Sequence, residues 1–176
     1  MKDLKEFYIP FAGLKEGKHH YQYKIDNSFF EAFNYEEFNN TTINIAVVMH
    51  KNSTSLTFTF KSKGVINVFC DLSNEPYDQE IDSELDLIVK YGERYNDEND
   101  EILIIPHGEH QVNVAQYIYE MIVLAVPVKK IHPGIKDGTL ASDILEKLEK
   151  LHPEEHKKEQ ETDPRWDTLK KLLTDK

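Results

Sequence analysis

The 176-residue chain is long enough for one domain with a tail, and its 39% apolar and 11% aromatic residues are enough for a core, which excludes a disordered protein. No apolar run approaches the roughly 20 residues of a membrane span, and a single Cys excludes an intramolecular disulfide framework, so we expect a soluble, cytoplasmic protein. The formal net charge of −11 is concentrated in residues 76–110, which contain eleven acidic residues and only two basic residues, Lys90 and Arg94. This acidity excludes a generic nucleic-acid binder.

The first 33 residues predict two strands and a short helix. Residues 4–12 and 18–26 have the composition and alternation of strands, with a glycine-containing turn between them. Residues 28–33 are aromatic and predict a helix, for which Asp26 or Asn27 can serve as N-cap.

An antiparallel meander is predicted for the next segment. Residues 42–51 and 56–60 alternate as two strands of a hairpin. A second turn at Lys63-Gly64 then leads into a third strand over residues 65–70.

The clearest strand covers residues 77–89, because its acids occupy every second position. A period of two places these carboxylates on one face and the apolar residues on the other. The face can be a docking surface for a basic partner or a solvated strand face that prevents aggregation. Neighbouring acids on it are about 7 Å apart, which disfavours a shared metal ion. The acids are Asp78, Glu80, Asp82, Glu84 and Asp86.

The period changes after Pro106. Residues 96–100 predict a polar loop, and residues 102–105 predict a short buried strand. Residues 112–126 then follow a helical stripe that ends before Pro127, with Asn113 as the cap if the helix begins late.

The chain becomes polar and charged after Pro127, so we predict a domain over residues 1–136 and a polar helical arm over residues 137–176. The arm includes the only Trp of the protein, which is costly to leave in water and therefore predicts a docking site in the same chain or in a partner. The predicted partner-binding residues of the arm are Asp163, Pro164, Arg165, Trp166 and Leu169.

We find no catalytic constellation, no cofactor motif and no metal ligand set in the sequence. Cys70 lies in a Cys-x-x-Ser sequence that is typical of a turn at a strand end and lacks the second thiol of a zinc or redox site. A direct RNA-binding module remains an alternative function, because the chain carries basic groups that could form a phosphate-binding patch. These are Lys61, Lys63, Lys129 and Lys130.

Together these elements predict an α+β fold. We expect an antiparallel, curved or barrel-like sheet of roughly six to eight strands. One helix packs on the sheet, and the helical C-terminal arm follows it.

Four segments in order give the chain a family resemblance. Residues 9–17, the box Cys70-Asp71 with Glu75-Pro76, the helix-then-proline segment 120–127, and the final box at residues 163–169 resemble the YceD family, the large ribosomal RNA subunit accumulation proteins, in a form like that of Bacteroidetes bacteria. The resemblance implies a role in the accumulation of large-subunit ribosomal RNA. It also suggests a ribosomal protein or a pre-ribosomal large subunit as the partner, with ribosomal RNA as a further candidate and no membrane or DNA.

This chain departs from the family pattern where family members often carry further Cys residues. Ser73 replaces the second Cys of the central box, and His132-Pro133-Gly134 follows the helix without a Cys. We therefore expect no metal here. The acidic strand and the resemblance together predict a non-enzymatic assembly factor, because ribosomal proteins are basic and an acidic face can hold them.

Overall fold

We describe a computed structural model of the chain, which covers residues 4–99, 101–140, 146–147 and 150–151. The chain divides into two units, Met1–Ala141 and Ser142–Lys176. The first unit contains all the strands described below. In the second unit, residues 146–147 and 150–151 are helical, and the predicted box at residues 163–169 lies outside the described residues. The boundary predicted after residue 136 stays a prediction.

The first unit is built mainly from strands. It begins with a 3-10 helix at Lys5–Phe7. The strands are β1 (Tyr8–Pro10), β2 (Gly17–Ile25), β3 (Asn40–Lys51), β4 (Ser55–Phe69), β5 (Pro76–Gly92), β6 (Asn96–Asn99), β7 (Ile102–Pro106) and β8 (Gln111–Asn113). The helices are α1 (Asn27–Glu31), α2 (Ala115–Ala125) and α3 (Pro133–Lys136). None of the helices in the described residues is long and apolar enough to cross a membrane.

Six strands form one sheet in the order β2-β3-β4-β5-β7-β6, and β1 and β8 form a separate two-stranded antiparallel pair. Strands β2 to β5 are antiparallel neighbours with an unbroken register, as in Lys24↔Asn44, Asn44↔Lys63 and Lys63↔Asp82. A period of two then gives this sheet one inner face, which is buried, and one outer face, which is exposed. We use these two names below.

The inner face supplies the core. Helix α2 packs on β5 and β4, and α1 packs on β3. Aromatic rings join the two helical regions: Phe33 stacks on Tyr119 with ring centroids 4.4 Å apart, and Phe30 lies between Phe29 and Phe38. Stacked and edge-on pairs of this kind add to the energy of apolar burial. The inner face of the sheet is therefore packed against the helices, and the outer face is exposed to solvent.

Several predicted elements are confirmed. Helix α1 begins after Asp26, whose carboxylate accepts a hydrogen bond from the Ser28 amide at 2.9 Å. Strand β5 has the predicted alternation, and β7 ends at Pro106. Helix α2 begins late, as expected, but its N-cap is Val114, which makes no side-chain cap hydrogen bond. Asn113, the predicted cap, lies one residue earlier, and its side chain accepts from the Ala115 amide at 2.8 Å.

The α+β class is correct, but the purely antiparallel, barrel-like sheet is wrong. Strand β5 pairs in parallel with β7, so the sheet is mixed. The sheet is also open, because β2 and β6 lie at its two ends and do not pair with each other. Alternating apolar residues predict that a segment is a strand but carry no information about the direction of its neighbour.

The turn predicted at Lys63-Gly64 is wrong, because β4 runs without interruption through both residues. Gly64 has a different role. A Cβ atom at this position would lie 2.6 Å from the Ile43 Cα and closer still to the Thr42 carbonyl oxygen. The glycine therefore permits a close approach of the β3 backbone.

Three boundaries also differ from the prediction. Residues 4–12 contain a 3-10 helix and the short β1, which pairs with β8 rather than with β2. Residues 96–100 were predicted as a loop, but Asn96–Asn99 forms β6. Val112 belongs to β8 and not to the helix. Short strands of this kind depend on distant partners, which local composition does not indicate.

Candidate protein and nucleic-acid interface

The acidic column on the outer face of β5 is the first feature of the site. We give this name to five carboxylates that are all exposed and that alternate with inner-face residues. Their spacing along the strand is about 7 Å, from two strand rises. The column therefore extends over roughly 27 Å, from eight strand rises. Its members are Asp78, Glu80, Asp82, Glu84 and Asp86.

Three members of the acidic column have partners on β4. Glu84 Oε1 lies 3.2 Å from Lys61 Nζ, and both side chains are more than half exposed. The Asn67 amide donates to Asp78 at 2.7 Å, and the Thr59 hydroxyl donates to Asp86 at 2.7 Å.

The other two members, Glu80 and Asp82, have no side-chain hydrogen bond or ion pair with any described residue. Asp82 is nevertheless directly opposite Lys63 in the register of β4 and β5. The middle of the column thus presents two open carboxylates to solvent.

A groove lies next to the acidic column on the same outer face. It runs along β3 and has a volume of about 560 Å³. Its floor includes the small side chain of Ala46, and its walls are formed by longer side chains of β2 and β4. We call it the basic groove, because three of its side chains are lysines. The outer-face residues that line it are Gln22, Lys24, Asn44, Ala46, Lys61 and Lys63.

The four lysines of the RNA-binding alternative fall into two separate places. Lys61 and Lys63 point outward from β4 in the basic groove. The backbone of Lys130 binds Asp71 beyond the end of β4, and its Nζ lies 3.6 Å from Glu37. Lys63 is six residues from the end of β4, which is roughly 20 Å along a strand. Lys129 precedes Lys130 and shares its location, so the four do not form one patch.

The central box of the family resemblance contacts the segment that follows α2 at this end of the sheet. The Asp71 amide donates to the Lys130 carbonyl at 2.7 Å, and the Asp71 carboxylate accepts from the Lys130 amide at 2.7 Å. Cys70 lies in the turn between β4 and β5, as its sequence predicts, and its sulfur accepts from the His132 amide at 3.3 Å. The central box therefore fixes the segment that follows α2.

Burial raises the pKa of the Cys70 thiol, but hydrogen bonds from Ser73 and from the His132 amide lower it, and the net pKa is below its ordinary value. The His132 ring does not point its Nδ1 at the thiol, because that nitrogen accepts from the Gly134 amide at 2.9 Å. No group of three or more His, Cys, Asp or Glu side chains in the described ranges could hold a metal ion.

Gln22, Lys24 and Asn44 were not predicted as site residues. Their outward alternation on β2 and β3 was visible in the sequence, since β2 alternates polar and apolar residues. The sequence alone does not reveal the register, which places Lys24 opposite Asn44 and Asn44 opposite Lys63.

Comparison with known proteins adds one match. The family model described as "Large ribosomal RNA subunit accumulation protein YceD" matches residues 58–173, which is about two thirds of the chain. The match includes β5, the Cys70 turn, α2 and the C-terminal box, whereas residues 9–17 precede it. No curated protein and no solved structure matches the chain.

Proposed function

Since the chain belongs to the YceD family of large ribosomal RNA subunit accumulation proteins, we propose that it acts in the cytoplasm as a non-enzymatic factor of large-subunit assembly. The proposed partner is a basic ribosomal protein, free or within a pre-ribosomal particle. The family description supports a role in the accumulation of large-subunit ribosomal RNA. The charge distribution of the outer face supports a basic partner.

The acidic column is the observation that carries this proposal. Ribosomal proteins that bind RNA are positively charged, and oriented carboxylates attract such proteins and fix how they dock. Glu80 and Asp82 have no competing partner in the described part of the chain, so a cation of the partner can pair with them without breaking a contact. Each exposed pair contributes about 0.2–1 kcal/mol, so the column gains affinity only by offering several pairs together.

The C-terminal box is the second part of the proposed interface. We propose that residues 163–169 dock on a ribosomal surface, with Trp166 as the apolar anchor. Trp is enriched among the residues that dominate binding energy at interfaces. This part of the proposal rests on the sequence of the box.

The experiment compares charge-matched variants in cells that lack the protein. Glu80→Gln with Asp82→Asn removes the two open carboxylates, and Glu16→Gln with Glu109→Gln removes two exposed acids away from the column. Both double variants have the same net charge. We expect the wild type and the second variant to restore the ratio of large- to small-subunit ribosomal RNA and to co-sediment with large-subunit precursors.

The Glu80/Asp82 variant should be reduced in both properties at physiological salt, because two exposed pairs together contribute about 0.4–2 kcal/mol. It should also bind more weakly than wild type to the ribosomal protein identified by mass spectrometry. Trp166→Ala, tested in parallel, should also reduce co-sedimentation. The proposal is refuted if the Glu80/Asp82 variant behaves as the wild type does. It is also refuted if loss of the protein leaves large-subunit RNA levels unchanged.

A further inference from the structure

We propose that the basic groove binds the backbone phosphates of single-stranded RNA. This site lies beside the acidic column but uses different strands and the opposite charge. The choice of RNA as ligand rests on the proposed function in ribosomal RNA accumulation, whereas the groove itself is a feature of β2, β3 and β4.

The register places cationic groups on both walls of the groove. One row across the sheet runs from Lys24 through Asn44 to Lys63, and the next runs from Gln22 through Ala46 to Lys61. The two walls are about 10 Å apart at the backbone, from two strand spacings. Lysine side chains from both sides can therefore reach an anion above β3, and the Asn44 and Gln22 amides can donate hydrogen bonds to it.

The lysines are available for a ligand. Lys24 and Lys63 have no ion pair or side-chain hydrogen bond within the described residues. Lys61 pairs with Glu84, but both side chains are more than half exposed and such pairs are weak. A phosphate can compete for Lys61, which leaves up to three cations for the ligand.

The lining of the groove favours phosphate over a peptide. Extended peptides obtain specificity from pockets that take alternate side chains, and the groove offers only a shallow floor at Ala46. Backbone phosphates require cations and polar donors, which are what the walls present. No aromatic ring faces outward among the lining residues, because Tyr23 stacks on Phe7 of the core side, so we expect little base preference.

The neighbouring charges limit the width of the ligand. Asp82 and Glu84 lie one strand spacing, about 5 Å, from Lys63 and Lys61. A ligand wider than the groove would bring phosphates against these carboxylates. A single strand avoids this repulsion, and a duplex does not.

The test measures binding of a fluorescein-labelled oligouridylate to the full-length protein by fluorescence anisotropy. Three neutralised phosphates predict a slope of log K against log salt of about −2, so binding should weaken by roughly 20-fold between 50 and 200 mM salt. Lys24→Gln and Lys63→Gln should each weaken binding and reduce the slope by about 0.7. Lys18→Gln is the matched control, because Lys18 is exposed on the same face of β2 but lies outside the groove.

Glu84→Gln separates this inference from the proposed function. It frees Lys61 and should tighten RNA binding, whereas it should weaken binding of a basic protein to the acidic column. The inference is overturned if the wild type does not bind the oligouridylate, if Lys24→Gln and Lys63→Gln bind as the control does, or if polyglutamate at equal charge displaces the RNA. Each of these results leaves the Glu80/Asp82 test of the basic partner unaffected.

Discussion

Replacement of Gly64 by Ala should destabilise the protein because the β3 backbone occupies the space that a Cβ atom would need. The added methyl group would lie 2.6 Å from the Ile43 Cα and 3.0 Å from the Thr42 carbonyl carbon. Both neighbours are backbone atoms inside a paired strand, so they cannot rotate away as a flexible side chain would. Overpacking of this kind costs about 1–3 kcal/mol. For a protein of this length, that cost corresponds to a fall in Tm of roughly 2–12 °C.

Gly108→Ala is the matched control. No atom lies within 4 Å of a Cβ at this position, and its φ is outside the left-handed region. The change should be neutral or stabilise the protein by about 0.4–1 kcal/mol, through a lower entropy of the unfolded chain. Urea unfolding and thermal melts followed by circular dichroism give both values. Equal stability of the two variants would refute the close approach of β3 and β4 at Gly64.

The other predictions concern the inner face and the turn at the end of β4. The buried Ser62 hydroxyl lies 2.6 Å from the Ser83 hydroxyl, which donates to the Met121 carbonyl at 3.4 Å. Ser83→Ala should lower the free energy of unfolding by about 1–3 kcal/mol, because it leaves the buried Ser62 hydroxyl without a partner. Ser62→Ala should lower it less, because it leaves no buried donor unpaired. A double-mutant cycle from urea unfolding checks this order, and equal costs would contradict it. The pKa of Cys70 is lowered in the folded protein because its hydrogen bonds stabilise the thiolate. The wild type should therefore be more stable than Cys70→Ala by an amount that is fully present above the ordinary pKa of 9.0. This difference should shrink as the pH falls through the folded pKa. Unfolding of both proteins at pH 7 and pH 9 measures this, and a constant difference would exclude it. Asp71→Ala removes an acceptor 2.7 Å from the Lys130 amide, and hydrogen exchange at residues 128–132 should become faster while that of β3 is unchanged.

The sequence predicted the acidic column because its signal is local. Five acids at alternate positions of one segment fix both the strand and the face that they share, and only the solvated-face and docking alternatives remained open. Helix α1 was predicted for the same reason, with Asp26 as one of its two candidate caps, since a cap and its helix are neighbours in the chain.

The basic groove could not be predicted in this way. Lys24 and Lys63 are far apart in the chain and come together only because β3 pairs with both of their strands. The parallel pairing of β5 with β7 is similarly non-local. Gly64 shows the converse problem, because a glycine permits both a turn and a close backbone approach and the sequence does not distinguish them.

The side-by-side placement of the basic groove and the acidic column gives the outer face an electric dipole directed across the strands. The two charged regions are separated by about 5–10 Å, which is close to the Debye length of about 8 Å at physiological ionic strength. At larger distances the three lysines offset only part of the field of the five carboxylates, and salt screens the remainder, so the dipole has little effect on how fast a partner arrives. Near contact it would exert a torque that turns the proposed RNA ligand toward β3 and the proposed basic partner toward β5. The outer face would therefore act mainly on the orientation of a bound ribonucleoprotein.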